Sequence, residues 1–185
     1  MDVIDLLTAD HNRMRGLIAR YRDATADEER AVLASKMVDE LQRHMAAEEK
    51  VFYRAVGDRT EEIGKDVDEG YEEHHVAKML IEELETLKPM SDPWAAKVTV
   101  LIESVEHHIG EEEEELFPTV RSSTETDWRK DLGERLDSEE VRLGAAPLAE
   151  RMDSTVVELR GLAREQDIPG RSSMNHDELA ATVGE

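Results

Sequence analysis

One pattern occurs twice in this chain. Residues 40–53 read ELQRHMAAEEKVFY and residues 104–117 read SVEHHIGEEEEELF. In register, His44 falls on His108, Glu48 on Glu112, and Phe52-Tyr53 on Leu116-Phe117. A histidine and a glutamate four residues apart on a helix stand one turn apart on the same face. Two such pairs on different helices of a bundle converge in its core, where side chains of this kind hold a pair of metal ions. A fold that uses the pattern must be helical through both segments and must turn both histidine faces inward.

The apolar periodicity agrees. The spacing predicts a helix from about Asp2 to Arg22, with Ile4, Leu7, His11, Met14 and Ile18 on one stripe. A second, from about Ala26 to Val56, carries Met37, Leu41, His44, Glu48 and Val51/Phe52. A third, roughly Thr60 to Leu87, carries Val67, Tyr71, His74, Ala77, Ile81 and Leu84. Ser91-Asp92-Pro93 is a cap followed by an early proline. It opens a fourth helix through Val98, Leu101, Val105, His108, Glu112 and Leu116, expected to stop near Pro118. Short polar connections favour antiparallel neighbours, so the expectation is an all-α, up-down-up-down four-helix bundle with additional C-terminal helices.

Composition narrows the chemistry. There is no cysteine, which excludes disulfides, thiolate metal sites, iron–sulfur clusters and cysteine nucleophiles. A metal here would be held by imidazole, carboxylate, phenolate or water. A net charge of −22 argues against a nucleic-acid or anionic-membrane surface on the body of the protein. No stretch is apolar enough to span a bilayer, and MDVIDLLTADH has neither the basic region nor the long apolar run of a signal peptide. The expected location is cytoplasmic.

Phase selects the residues. His11, His44, His74 and His108 each lie on the apolar stripe of a different helix, and Glu48 and Glu112 follow their histidines by one turn. A buried carboxylate is unfavourable unless it is paired or bound to metal. Two of them beside four imidazoles form the donor set of a dinuclear cation site, with the glutamates between the ions. His107 also precedes a glutamate, Glu111, and His75 adjoins His74. The better-filled apolar registers run through His108 and His74, which leaves His75 and His107 outside the inner set.

Asp10-His11, His44-x3-Glu48, Glu73-His74 and His108-x3-Glu112 with Leu116-Phe117-Pro118 resemble the haemerythrin-like (HHE) domain over residues 1–120. That resemblance implies a non-haem centre of two iron ions, oxo- or hydroxo-bridged, with His11, His44, His74 and His108 as ligands and Glu48 and Glu112 bridging. Invertebrate oxygen carriers of that family place two histidines one turn apart on the third helix, and Tyr71 precedes His74 here. Tyr71 is either a packing aromatic or a phenolate donor to the iron. A phenolate would favour Fe(III) and peroxide chemistry over reversible O₂ carriage. The expected function is reaction with a small oxidant, H₂O₂, O₂ or NO, foremost catalase-like disproportionation of hydrogen peroxide. The alternatives are an O₂ or NO binding sensor without turnover and an iron-dependent interaction module.

Beyond residue 120 the pattern changes. Residues 121–153 read as a connector, with a short helix around Trp128 and another beginning near Ser138 that is interrupted near Gly144 and Pro147. Residues 154–185 resemble the helix–extended-loop–helix module of the transcription terminator Rho and SAP-like tails, through Leu159, Leu162, Ile168-Pro169-Gly170-Arg171-Ser172, Met174 and Leu179. In relatives this module can bind nucleic acid. Here Arg160, Arg164 and Arg171 are too few among acids for that, so docking on the bundle or on another protein is expected. Asn175 is expected to cap a last helix through Thr182.

Overall fold

The computed structural model describes residues 1–165, 168–171, 174, 179 and 182. The helices among them are α1 (Val3–Asp23), α2 (Asp27–Ala47), α3 (Tyr53–Val56), α4 (Glu61–Glu85), α5 (Asp92–Glu111), α6 (Phe117–Ser123), α7 (Thr126–Arg142) and α8 (Leu148–Glu165). No strand occurs among the described residues. α1, α2–α3, α4 and α5–α6 form the four long rods of the expected antiparallel bundle. Three of the four rods start on a side-chain cap. The Asp2 carboxylate accepts the Ile4 amide at 3.0 Å, Thr60 caps α4 through Ile63, and Ser91 caps α5 with Pro93 in its first turn. No helix among the described residues is long and apolar enough to cross a membrane.

Two turns depart from the regular helix, and both fall on the repeated motif. Glu48–Phe52 and Glu112–Leu116 are π-helical: the amide of Tyr53 reaches back to the carbonyl of Glu48, and that of Phe117 to Glu112. Such wide turns inside α-helices often mark functional sites. Here they re-phase the chain, so that the fifth residue after each glutamate returns to the inner face.

The bundle core is interrupted. At one end Met14, Ile18, Leu33, Met37, Leu41, Ile81, Leu84, Trp94, Val98 and Leu101 share one buried cluster. At the other, Val3, Ile4, Leu7, Phe52, Val56, Ile63, Val67, Leu116, Phe117 and Val120 share a second. The four inward histidines and two glutamates lie on the stretches of helix between these groups. Burying a large aliphatic or aromatic side chain contributes about 1.5–3 kcal/mol. The two apolar ends therefore supply the stability that lets a polar belt persist between them.

The C-terminal third corrects two expectations. Pro118 does not end the fourth rod; the helix resumes as α6 with that proline in its first turn, where a missing amide hydrogen is tolerated. The short helix around Trp128 is instead α7, which runs on through Ser138 to Arg142 before a turn at Gly144 (φ 95°). Leu132 and Leu136 of α7 belong to the same buried cluster as the start of α1, and the Arg129 guanidinium donates to Asp2 at 2.7 Å. Leu159, Ala163 and Leu179 form a separate small cluster. The helix expected from Asn175 lies outside the described residues except for Leu179 and Thr182, which are helical.

Candidate metal centre

The structure brings six of the sequence-selected residues together. His11, His44, His74, His108, Glu48 and Glu112 are at most 8% exposed. Donor atoms of His11, His44, Glu48 and Glu112 all lie within 4.8 Å of one another, as do those of Glu48, His74 and His108. Glu48 reaches histidines of both groups, with Oε2 at 3.1 Å from His44 Nε2 and 3.5 Å from His74 Nε2. Glu112 Oε2 does likewise, at 3.2 Å from His11 Nε2 and 3.6 Å from His108 Nε2. Each carboxylate thus spans the two histidine pairs. His75 is exposed, and the His107 side chain is 66% exposed.

Ring orientation is set from outside the cage. His11 Nδ1–H donates to Glu113 at 2.8 Å, His74 Nδ1–H to Glu49 at 3.0 Å, and His108 Nδ1–H to Glu73 at 2.7 Å. Two of these glutamates are held in turn by cations, Glu113 by Arg15 at 2.8 Å and Glu49 by Lys78 at 2.5 Å. With Nδ1 donating, each neutral ring directs a lone pair at the cage from Nε2. His74 Nε2 and His108 Nε2 face each other at 3.1 Å. Two facing lone pairs repel at that distance unless a cation or a proton lies between them.

Electrostatics in the metal-free protein tell the same story. Burial opposes a charged His11, but the carboxylates of Glu112 and Glu113 on either side of the ring outweigh it and push the ring up to about 9. Burial likewise opposes a charged His74, and Glu48 and Glu49 raise it to about 9. Glu48 is wholly buried, which favours its neutral form, yet His44 and His74 hold it well below the usual carboxylate range. The cage accumulates negative charge, and protons balance it when no metal does. His11 Nε2, His44 Nε2, both Glu48 oxygens and Glu112 Oε2 are buried and make no hydrogen bond. Orphaned donor atoms of this kind, all nitrogen and oxygen, suit a first-row divalent cation.

Tyr71 is not among them. It is 36% exposed, and its hydroxyl donates to the Glu49 carbonyl at 3.2 Å. The expectation that it lines the core is corrected: on α4 the buried position one turn before His74 is Gly70, and Tyr71 sits on the flank. The space belongs to Tyr53. Its ring is 1% exposed and stacks on His74 at 5.3 Å, and its hydroxyl donates to Glu112 Oε1 at 2.8 Å. In the other half Phe117 holds the matching place, stacked on His11 at 5.5 Å. Beside the cage lies a cavity with about 20 Å³ open to the centre of a water molecule, bordered by His11, Met14, Leu41, His44, Val105 and His108. That is room for about one water-sized guest.

A model of the haemerythrin HHE cation-binding domain matches residues 2–120, the bundle and all six inward residues. The chain belongs to the haemerythrin HHE family. A DNA nickase from Nostoc sp. (strain PCC 7120 / SAG 25.82 / UTEX 2576) is 26% identical to this haemerythrin-like chain over 148 residues, 78% of its length. The match spans 42% of that relative. No solved structure matches. The haemerythrin domain ends before α7, so the model does not cover the C-terminal helices.

Proposed function

We propose that this haemerythrin-like domain holds two iron ions and reacts with a small oxidant, hydrogen peroxide foremost. His11 and His44 would bind one ion, His74 and His108 the other, with Glu48 and Glu112 shared. Iron, when bound, supplies the one-electron redox change; the chain supplies the cage, the protons and the exclusion of larger molecules.

The observation that carries the preference for peroxide is the outer ring of carboxylates. Three of the four imidazoles donate Nδ1–H to glutamates. Glu113 is held down to about 2: burial opposes its charge, but His11 and Arg15 prevail. Ionised partners at Nδ1 raise ligand basicity and favour the higher oxidation state of a bound metal. Reversible O₂ carriage needs the reduced state at rest, whereas disproportionation, 2 H₂O₂ → 2 H₂O + O₂, proceeds from the oxidised one. Tyr53 places a proton donor on Glu112 at the cage edge. The small cavity admits a guest the size of H₂O₂, O₂ or NO.

Metal analysis and oxygen evolution test the proposal. Two irons per chain and O₂ release from added peroxide are expected. Two irons with reversible O₂ or NO binding and no peroxide turnover would move the reading to a sensor. The relative's name suggests phosphodiester cleavage as a second reading. Burial of the six donors and the −22 charge oppose it. Relaxation of supercoiled plasmid by the iron-loaded chain, abolished by chelation, would favour it.

A further inference from the structure

The outer ring around the histidines is built by repetition, and one arm is diverted. Glu113 serves His11 with Arg15 behind it; the matching Glu49 serves His74 with Lys78 behind it. Glu73, which precedes His74 in sequence, crosses to His108. By the same pattern Asp10, which precedes His11, is the partner for His44. Asp10 and His44 border the same cavity, and the two interact electrostatically. Yet His44 Nδ1 is buried without a hydrogen-bond partner, and the Asp10 carboxylate is engaged elsewhere, by Glu140 and by two arginines.

Arginines account for the diversion. Asp10 Oδ1 lies 2.5 Å from Arg13 Nη2 and 3.8 Å from Arg151 Nη1. Arg151 comes from α8, beyond the haemerythrin domain, and is 5% exposed. It also pairs with Glu140 and Asp137 of α7. Asp10, Arg13, Glu140 and Arg151 are all buried. A buried ion cluster is a weak source of stability, and its best-attested use is to fix one arrangement against another. The two arrangements here are Asp10 turned to the arginines and Asp10 turned to His44.

We propose that Arg151 is a positioning residue for the metal centre: together with Arg13 and Glu140 it holds Asp10 aside, and so withholds from His44 the outer hydrogen bond that the other three histidines possess. Docking of α8 thereby sets the basicity of one ligand and ties the C-terminal helices to the redox balance of the centre. The proposal rests on the assignment of His44 as an iron ligand.

The test is the midpoint potential of the iron-loaded full chain, which reads the centre without turnover. Outer-sphere partners change metal affinity by about 10–100-fold. Arg151→Met removes the hold that α8 exerts on Asp10 and leaves Arg13 on its own helix, shifting the carboxylate towards His44; a tenfold added preference for Fe(III) converts to a fall of about 59 mV. Arg151→Lys, which restores the charge, is expected to return most of the shift. Asp10→Asn combined with Arg151→Met is expected to abolish it. Arg151→Gln, which removes the charge but keeps hydrogen-bonding groups for Glu140 and Asp137, is expected to lower the potential in the same direction, and it decides the question should Arg151→Met fail to fold. A potential unchanged in a folded Arg151→Gln chain, or unchanged in a folded Arg151→Met chain that merely unfolds at lower urea, overturns the proposal. Iron measured on the same samples separates the cases: two irons with no shift overturns this inference alone, and no bound metal in the unaltered chain overturns both.

Discussion

Gly70→Ala is the sharpest perturbation the site offers. On an exposed helix the change would stabilise by about 1 kcal/mol, because glycine is the poorer helix former. At Gly70 the added Cβ would stand 2.6 Å from the Tyr53 hydroxyl, 3.0 Å from Cζ and 3.3 Å from Cε2. The ring has little freedom to yield, being 1% exposed and packed between His74 at 5.3 Å and Tyr71 at 5.2 Å. Relief must come from displacing the hydroxyl off Glu112 or from forcing α4 away. Losing a hydrogen bond to a charged group costs about 1.5–3 kcal/mol, and overpacking a core about 1–3. Set against the helix gain, the net expectation is destabilisation by about 0.5–2 kcal/mol. Urea unfolding of the chelator-treated chain measures it, in both the Tyr and the Tyr53→Phe backgrounds. In Tyr53→Phe the 2.6 Å contact is gone, so the penalty should shrink by about 1 kcal/mol or more. A neutral or stabilising Gly70→Ala, or an equal penalty in both backgrounds, refutes the reasoning.

The remaining expectations follow from the same geometry. Glu140 is pushed up to about 9, by burial first and then by Asp10 beside it. Its folded value lies above the ordinary 4.5, so the native chain keeps a proton that the unfolded chain has lost. The stabilisation is complete below about pH 4.5 and is lost as pH rises through about 9, at most about 1.4 kcal/mol per pH unit. Urea midpoints from pH 5 to 9 should carry this slope, and Glu140→Gln should flatten it; an unchanged slope counts against the assignment. His108→Ala is expected to remove stoichiometric metal while His107→Ala retains it, read by metal analysis; equal loss would contradict the register. Tyr71→Phe is expected to leave the visible spectrum of the iron-loaded chain unchanged, since its hydroxyl meets a backbone carbonyl and Arg54 rather than the cage.

Helical phase made the cage legible and left its surroundings obscure. The choices of His74 over His75 and His108 over His107 needed only a regular helix near each histidine, and α4 and α5 are regular there. Tyr53 was hidden because five residues after Glu48 is off the inner face of an α-helix. Only the π turn returns it, and local sequence does not announce such a turn. Gly70 was the available hint: a glycine deep in a helix, four residues before His74, loses stability unless something must come close. Tyr71, three residues before His74, fits the stripe on spacing alone, but the inner position one turn before His74 is Gly70 and the space over it is filled by Tyr53 from the facing helix. Glu113 was masked by the run from Glu111 to Glu115, in which spacing alone cannot single out one carboxylate. Arg151 was out of reach entirely, since its partner Asp10 lies at the far end of the chain.

The two halves of the cage match in four histidines and two glutamates and differ in what surrounds them. On the His74 side a phenol closes over the ring and donates to Glu112. On the His11 side the corresponding Phe117 has no polar atom to offer, and the cavity opens along His11, His44 and His108. His44, in the same half, is the one histidine without an outer partner. A ligand position held by one fewer hydrogen bond, beside the space where a small guest fits, is the position whose donor strength matters most to that guest. The asymmetry therefore assigns a division of labour. The Tyr53 half is braced, and the His44 half is the one that meets both the cavity and, through Asp10 and Arg151, the C-terminal helices.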